Sequence, residues 1–136
     1  MIILDTNVIS ETTRPTPHPA VLRWLGQHLN ECMVSVVTMQ ELEFGAHRMP
    51  EGNRRRDVES AIADLIQGFD GCFVPLSLES ARMTGAVLAA RLAAGRPTSM
   101  SDAQIAGTAL VHGAAIATRN ITDFDGLGIE LMDPWA

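Results

Sequence analysis

Met1-Ile2-Ile3-Leu4-Asp5-Thr6-Asn7 opens the chain, and its reading decides the fold. Four apolar residues in a row, ended by an acid and two capping residues, describe a short strand buried on both faces and turning directly into a helix. Working outward, the same alternation recurs. Cys32–Val37 is apolar and β-branched, and Ser35 or Thr38 can cap a helix that carries Met39, Leu42 and Ala46 on one face, with Glu41 nearby. Cys72–Leu76 and Ala114–Thr118 repeat the strand pattern, and Ile129–Met132 adds a short fifth.

Between these runs the spacing is helical. Val21, Leu22, Leu25 and Leu29 recur at helical intervals after a loop holding Pro15, Pro17 and Pro19. Arg54–Phe69 places Val58, Ile62, Leu65, Ile66 and Phe69 inward. Ser77 or Ser80 opens a helix through Ala94, stopped by Gly95-Arg96-Pro97. Ser101-Asp102 begins another through Val111, with Gly113 as C-cap. Strands alternating with helices predict an α/β sandwich around a mostly parallel sheet. The 136 residues show no repeat or linker, so a single domain over 1–136 is expected.

Composition narrows the function. Hydrophobic residues make up 46 % of the chain, enough for a core. No apolar run approaches the roughly 20 residues that span a bilayer, and Asp5 interrupts the apolar start, so the expected compartment is the cytoplasm. Cys32 and Cys72 lack metal-ligand spacing and are expected as free thiols. The net charge of −6 argues against a passive nucleic-acid binder, which usually carries a basic face. All ten basic residues are Arg, which removes Schiff-base chemistry and a Walker A loop, both of which need Lys.

The acids are placed more suggestively. In open parallel sheets, sites form at the carboxyl ends of strands. Asp5 follows the first strand, Glu41 lies about one turn into the helix after the second, Asp102 stands in a helix first turn, and Asp123 and Asp125 follow the fourth strand. Each alone has a plain structural use as a cap, a solvated face or a turn residue. Together, carboxylates from four segments converging on one edge need a cation. Hard oxygen ligands without Cys or His suit Mg²⁺ or Mn²⁺. Arg91, Arg96 and Arg119 are candidate phosphate contacts. The Met residues, Met83 and Met100 among them, are expected as core fillers. Gly107 and Ala103, beside Ala106 and Ala109, permit close helix approach, within the domain or from another chain.

Two other phosphoryl-transfer arrangements fail on residue type. A haloacid-dehalogenase-like site needs a second Asp where Asn7 stands, and a receiver domain needs a Lys. A non-catalytic module, binding metal or a basic partner peptide through the same acids, remains the alternative to an enzyme.

Four segments also resemble, in order, the motifs of PIN-domain proteins: Ile3–Ser10, Ser35–Gly45, Ser101–Ala109 and Ala117–Phe124. The ending, Gly128-Ile129 through Asp133-Pro134-Trp135, is similar to the close of the VapC and FitB branch. The resemblance covers essentially the whole chain and implies a PIN-like three-layer sandwich. It implies a Mg²⁺- or Mn²⁺-dependent endoribonuclease, the toxin of a VapBC-type toxin–antitoxin pair, cutting RNA. Carried over by motif, Asp5, Glu41 and Asp102 match the acidic triad, and Thr6 matches a supporting hydroxyl. The fourth acidic position falls on Asp123, with Asn120 as a hydrogen-bonding alternative beside Arg119. The resemblance further implies a homodimer, and a cognate antitoxin whose C-terminal arm places a basic side chain near the acids. Operator DNA would be bound only through that antitoxin.

Overall fold

Five short strands and six helices follow the predicted order, in a computed structural model describing Met1–Ala136. The strands are β1 (Ile2–Leu4), β2 (Cys32–Ser35), β3 (Phe73–Val74), β4 (Ala115–Ala117) and β5 (Leu131–Met132). All neighbours pair in parallel, in the order β3-β2-β1-β4-β5. The chain therefore starts at the centre, builds outward on one side, then returns to build the other. That reversal lies between β1 and β4, and a crevice opens at the carboxyl ends of strands flanking such a point.

The helices are α1 (Thr6–Thr12), α2 (Pro19–His28), α3 (Val36–Arg48), α4 (Asn53–Gly68), α5 (Leu78–Ala93) and α6 (Met100–His112). Side chains of a strand alternate between faces, and the two cores follow that alternation. Ile2, Leu4, Ala115 and Ala117 pack with Val8, Ile9, Val21 and Leu65 on one side. Ile3 and Ile116 pack with Val87, Ala103, Ile105, Ala106 and Phe124 on the other. Three layers result, with β1 buried from both directions, which is why Ile2–Leu4 carries no polar side chain.

Several boundaries differ from the sequence expectation, each for a local reason. Helix α1 is capped by Asp5 rather than Thr6 or Asn7, because Asp5 is still extended and its Oδ1 accepts from the Thr6 amide at 2.8 Å. Strand β2 stops at Ser35, not Val37: the Ser35 hydroxyl oxygen accepts from the Val37 amide at 3.1 Å, and this cap overrides the β preference of two valines. Helix α6 starts at Met100, earlier than Ser101, because Ser99 caps it through the Asp102 amide at 3.2 Å. Met83 and Met100 are exposed rather than core. Cys32 is buried and Cys72 half-buried, both as free thiols, and burial pushes the Cys32 thiol up to about 11.

Gly107 settles the small-residue stripe of α6. A Cβ there would lie 2.7 Å from Thr84 Oγ1 and 2.9 Å from the Ser80 carbonyl oxygen on α5. The stripe lets α5 and α6 of the same domain touch backbone to backbone. No helix is long and apolar enough to cross a membrane.

Candidate active site

At the β1–β4 reversal, the registry of Leu4 against Ala117 brings Asp5 beside Thr118. The Asp5 amide continues the ladder by donating to the Ala117 carbonyl at 2.9 Å. The Asp5 carboxylate is then held from three directions. Oδ1 takes the Thr6 amide, and Oδ2 takes the Thr118 hydroxyl at 2.8 Å and the Asn7 amide group at 3.2 Å. Thr118 is fully buried, and its hydroxyl donates to Asp5 while accepting from the Asn120 amide at 3.0 Å and the Asn7 side chain at 3.3 Å. Sequence reasoning missed Thr118, because a threonine ending a β-strand carries no signal of its own.

Glu41 arrives from the opposite neighbour, β2, one and a half turns into α3. Its Oε1 accepts from the Thr6 hydroxyl at 2.6 Å and its Oε2 from the Ser101 hydroxyl at 3.2 Å. The Thr6 hydroxyl, expected to support the first Asp or a site water, donates instead to Glu41. Its neighbour Asp5 is reached through the Thr6 amide. Ser101 joins because α6 starts at Met100, so its side chain is not consumed in capping.

Asp102 lies in the first turn of α6, where the helix dipole favours an anion. Asp123 ends the 3₁₀ turn Ile121–Asp123 and is exposed. Asp5, Glu41, Asp102 and Asp123 all line one cleft of ≈ 550 Å³, with Thr6, Asn7, Asn120 and Arg119. Both residues proposed for the fourth position thus face the same space.

Electrostatics tie the acids together. Burial pushes Asp5 up to about 6; hydrogen bonds from Thr118 and Thr6 oppose this, and the charges of Asp102 and Glu41 reinforce it. Asp102 is raised too, first by burial and then by Asp123 and Glu41, against its hydrogen bond from Ser99. No three of these side chains close on one point as an ion-binding cage. They line a cleft in which like charges oppose closer approach.

Glu11, which carried no sequence signal, is the other acid on this wall. It is buried, pairs with Arg14 at 3.3 Å and accepts from the His18 amide at 3.3 Å, so it ties the proline loop to α1. Arg91 corrects the phosphate-contact expectation. It is only 5 % exposed, and its guanidinium donates to the carbonyl oxygens of Asp123 and Asp125. Arg96 binds the Thr122 carbonyl and the Asp125 carboxylate. Both arginines brace the turn that carries Asp123, and Asp125 is committed to them.

A sandwich of this strand order, with acids after β1 and β4, on α3 and in the first turn of α6, is the architecture of a PIN domain. The PIN domain family matches residues 2–128, and the chain belongs to that family. Within it, the chain is 34 % identical to the VapC ribonuclease Y4jK of Sinorhizobium fredii, covering 99 % of this chain and 98 % of the relative. It superimposes on the crystal structure of FitAcB from Neisseria gonorrhoeae with a TM-score of 0.89, at 29 % identity and covering 99 % of both chains. On FitAB bound to an IR36 DNA fragment the TM-score is 0.88 at 29 % identity, covering 100 % of this chain and 96 % of that one.

Proposed function

We propose that the chain is a metal-dependent endoribonuclease, the toxin of a VapBC-type toxin–antitoxin pair, with Asp5, Glu41, Asp102 and Asp123 holding Mg²⁺ or Mn²⁺. One observation carries this reading: acids from four separate segments meet in one cleft, and two of them are raised partly by the others' charge. The donor set is all oxygen, which fits a hard divalent cation. Such an ion, when bound, lowers the pKa of a coordinated water and neutralises charge on a phosphoryl group.

The chain's own residues supply order. Three hydrogen bonds hold the Asp5 carboxylate in one orientation, so little motion is lost when it binds. Thr6 and Ser101 take one oxygen each of Glu41 and fix its plane. Asp123, the more exposed acid, can orient a water, and the Asn120 amide can hydrogen-bond a phosphate oxygen from the same wall. The VapC ribonuclease relative supports RNA as the substrate.

The FitAcB and FitAB complexes support a cognate antitoxin as partner, with operator DNA reached only through it. A net charge of −6 suits a basic partner segment near the acids. A homodimer fits the same reading.

The test is cleavage of structured and unstructured RNA by wild type and Asp5→Asn, with Mn²⁺ and with chelator. Cleavage requiring both metal and Asp5 is the expected result. A folded Asp5→Asn protein that cuts as wild type does overturns the site. No cleavage across a broad panel, with the metal still bound, favours an interaction module instead.

A further inference from the structure

The acidic cleft has one aromatic wall and one unpaired cation, and they touch. Trp135 is the only hydrophobic residue lining it, and the Arg119 guanidinium carbon stands 5.2 Å from the centre of the Trp135 ring. The other cation of the cleft, Arg14, is already paired with Glu11, whereas Arg119 makes no ion pair.

Both residues are placed from behind. The Arg119 amide donates to Asn7 Oδ1 at 3.4 Å, and the same Asn7 side chain donates to Asp5 at 3.2 Å. Trp135 is half-buried against the core that contains Leu4, and its amide donates to the Asp133 carboxylate at 2.9 Å. The Arg119 backbone is thus tied to the residue two beyond Asp5, and its guanidinium rests on an indole anchored to the core. The Arg119 guanidinium lines the cleft with the acids but forms a contact ion pair with none of them.

Resting on the nuclease reading, we infer that Arg119 and Trp135 form a stacking site for one unpaired nucleobase of RNA beside the scissile phosphate. The chemistry follows from what each group can hold. An aromatic ring or a guanidinium plane accepts any base face, while an Arg hydrogen-bonds a neighbouring phosphate. A base in a duplex is already stacked on both faces, so the site selects single strands. A chain of net charge −6 gains little from long-range attraction to RNA, which leaves short-range contacts of this kind to hold the substrate.

Trp135 can report its own occupancy. The chain has two Trp and no Tyr, so Trp24→Phe leaves Trp135 as the main fluorophore. Trp24 stacks on His28 in α2 and does not line the acidic cleft. The titration uses short mixed-sequence RNA with Ca²⁺ replacing Mg²⁺ or Mn²⁺; cleavage is assayed separately with Mn²⁺. Single-stranded RNA should quench Trp135 emission, and the same sequence as a duplex should leave it unchanged.

Trp135→Leu should raise KM for single-stranded RNA about tenfold with a smaller change in kcat, and Trp135→Phe should restore most of it. Equal quenching by duplex, or emission that answers only to the antitoxin, overturns the stacking site. So does normal cleavage with unchanged emission, which leaves the nuclease standing. Quenching by single strands without any cleavage supports the stacking site and counts against the nuclease.

Discussion

The guanidinium of Arg91 donates to the backbone carbonyl of Asp123 at 2.9 Å. A buried cation at the end of α5 thereby sets the position of an acid on another element, across 32 residues of chain. The same nitrogen donates to the Asp125 carbonyl at 2.8 Å, so the turn is held at two points. Asp123 reaches the cleft by this bracing, and not by any regular secondary structure of its own beyond a single 3₁₀ turn.

Replacing Arg91 by Met leaves those two carbonyls without their donor in a partly buried setting. The cost is about 1–3 kcal/mol of stability, read by denaturant unfolding. If Asp123 works in the site, RNA cleavage falls between roughly tenfold and a hundredfold through misplacement, and Mn²⁺ affinity falls with it. Wild-type cleavage by a folded Arg91→Met protein would remove Asp123 from the mechanism.

Asp5 makes metal-free stability depend on pH. Its folded pKa, about 6, is above the ordinary 3.8, so the folded protein binds the proton more tightly than the unfolded chain. Its contribution is fully present below pH 3.8 and is lost as pH rises through about 6. The size is at most about 3 kcal/mol. In chelator, the wild type should lose stability over this window relative to Asp5→Asn, which has no proton to lose there. Parallel curves for the two proteins would contradict the burial assigned to this carboxyl.

Divalent metal should reverse that loss. A cation that binds only the folded cleft raises the melting temperature by mass action, by several degrees once it is well above its Kd. Chelator should return the original value, and Asp5→Asn should show little rise. An unchanged melting temperature at saturating Mn²⁺ would argue against a shared cation site.

Gly107→Ala tests the contact of α5 with α6 independently of the site. The added methyl would sit 2.7 Å from Thr84 Oγ1 and 2.8 Å from the Thr84 amide nitrogen, so the helices must separate. A loss of about 1–3 kcal/mol is expected. Because α6 carries Ser101 and Asp102, activity should fall as well, and a stable, fully active variant would contradict this packing.

Much of the architecture was legible because it rests on local pattern. Apolar runs at Ile2–Leu4 and Ala115–Ala117 exist because both sheet faces are covered, and such runs show in any reading of the chain. Boundaries at Ser35 and Ser99 were harder, since a single side-chain hydrogen bond decides where a helix begins. Glu11 was not singled out, and Arg91 was read as a phosphate contact, for a different reason: only a charged residue's neighbours in space reveal that it is buried.

By itself, the sequence determined which residue types stand at the strand ends: Asp5 after β1, Asn120 and Asp123 after β4, and Asp102 at a helix start. It also determined that no Lys chemistry was on offer. Tertiary structure decided what these groups do to one another. That Thr118 holds Asp5, that Ser101 and Thr6 share Glu41, and that Arg119 rests on Trp135 all depend on contacts between distant segments. Local preference sets where a strand or helix forms. The direction and partner of a side chain at its end are set by which other element packs there, and that is a property of the folded sheet order alone.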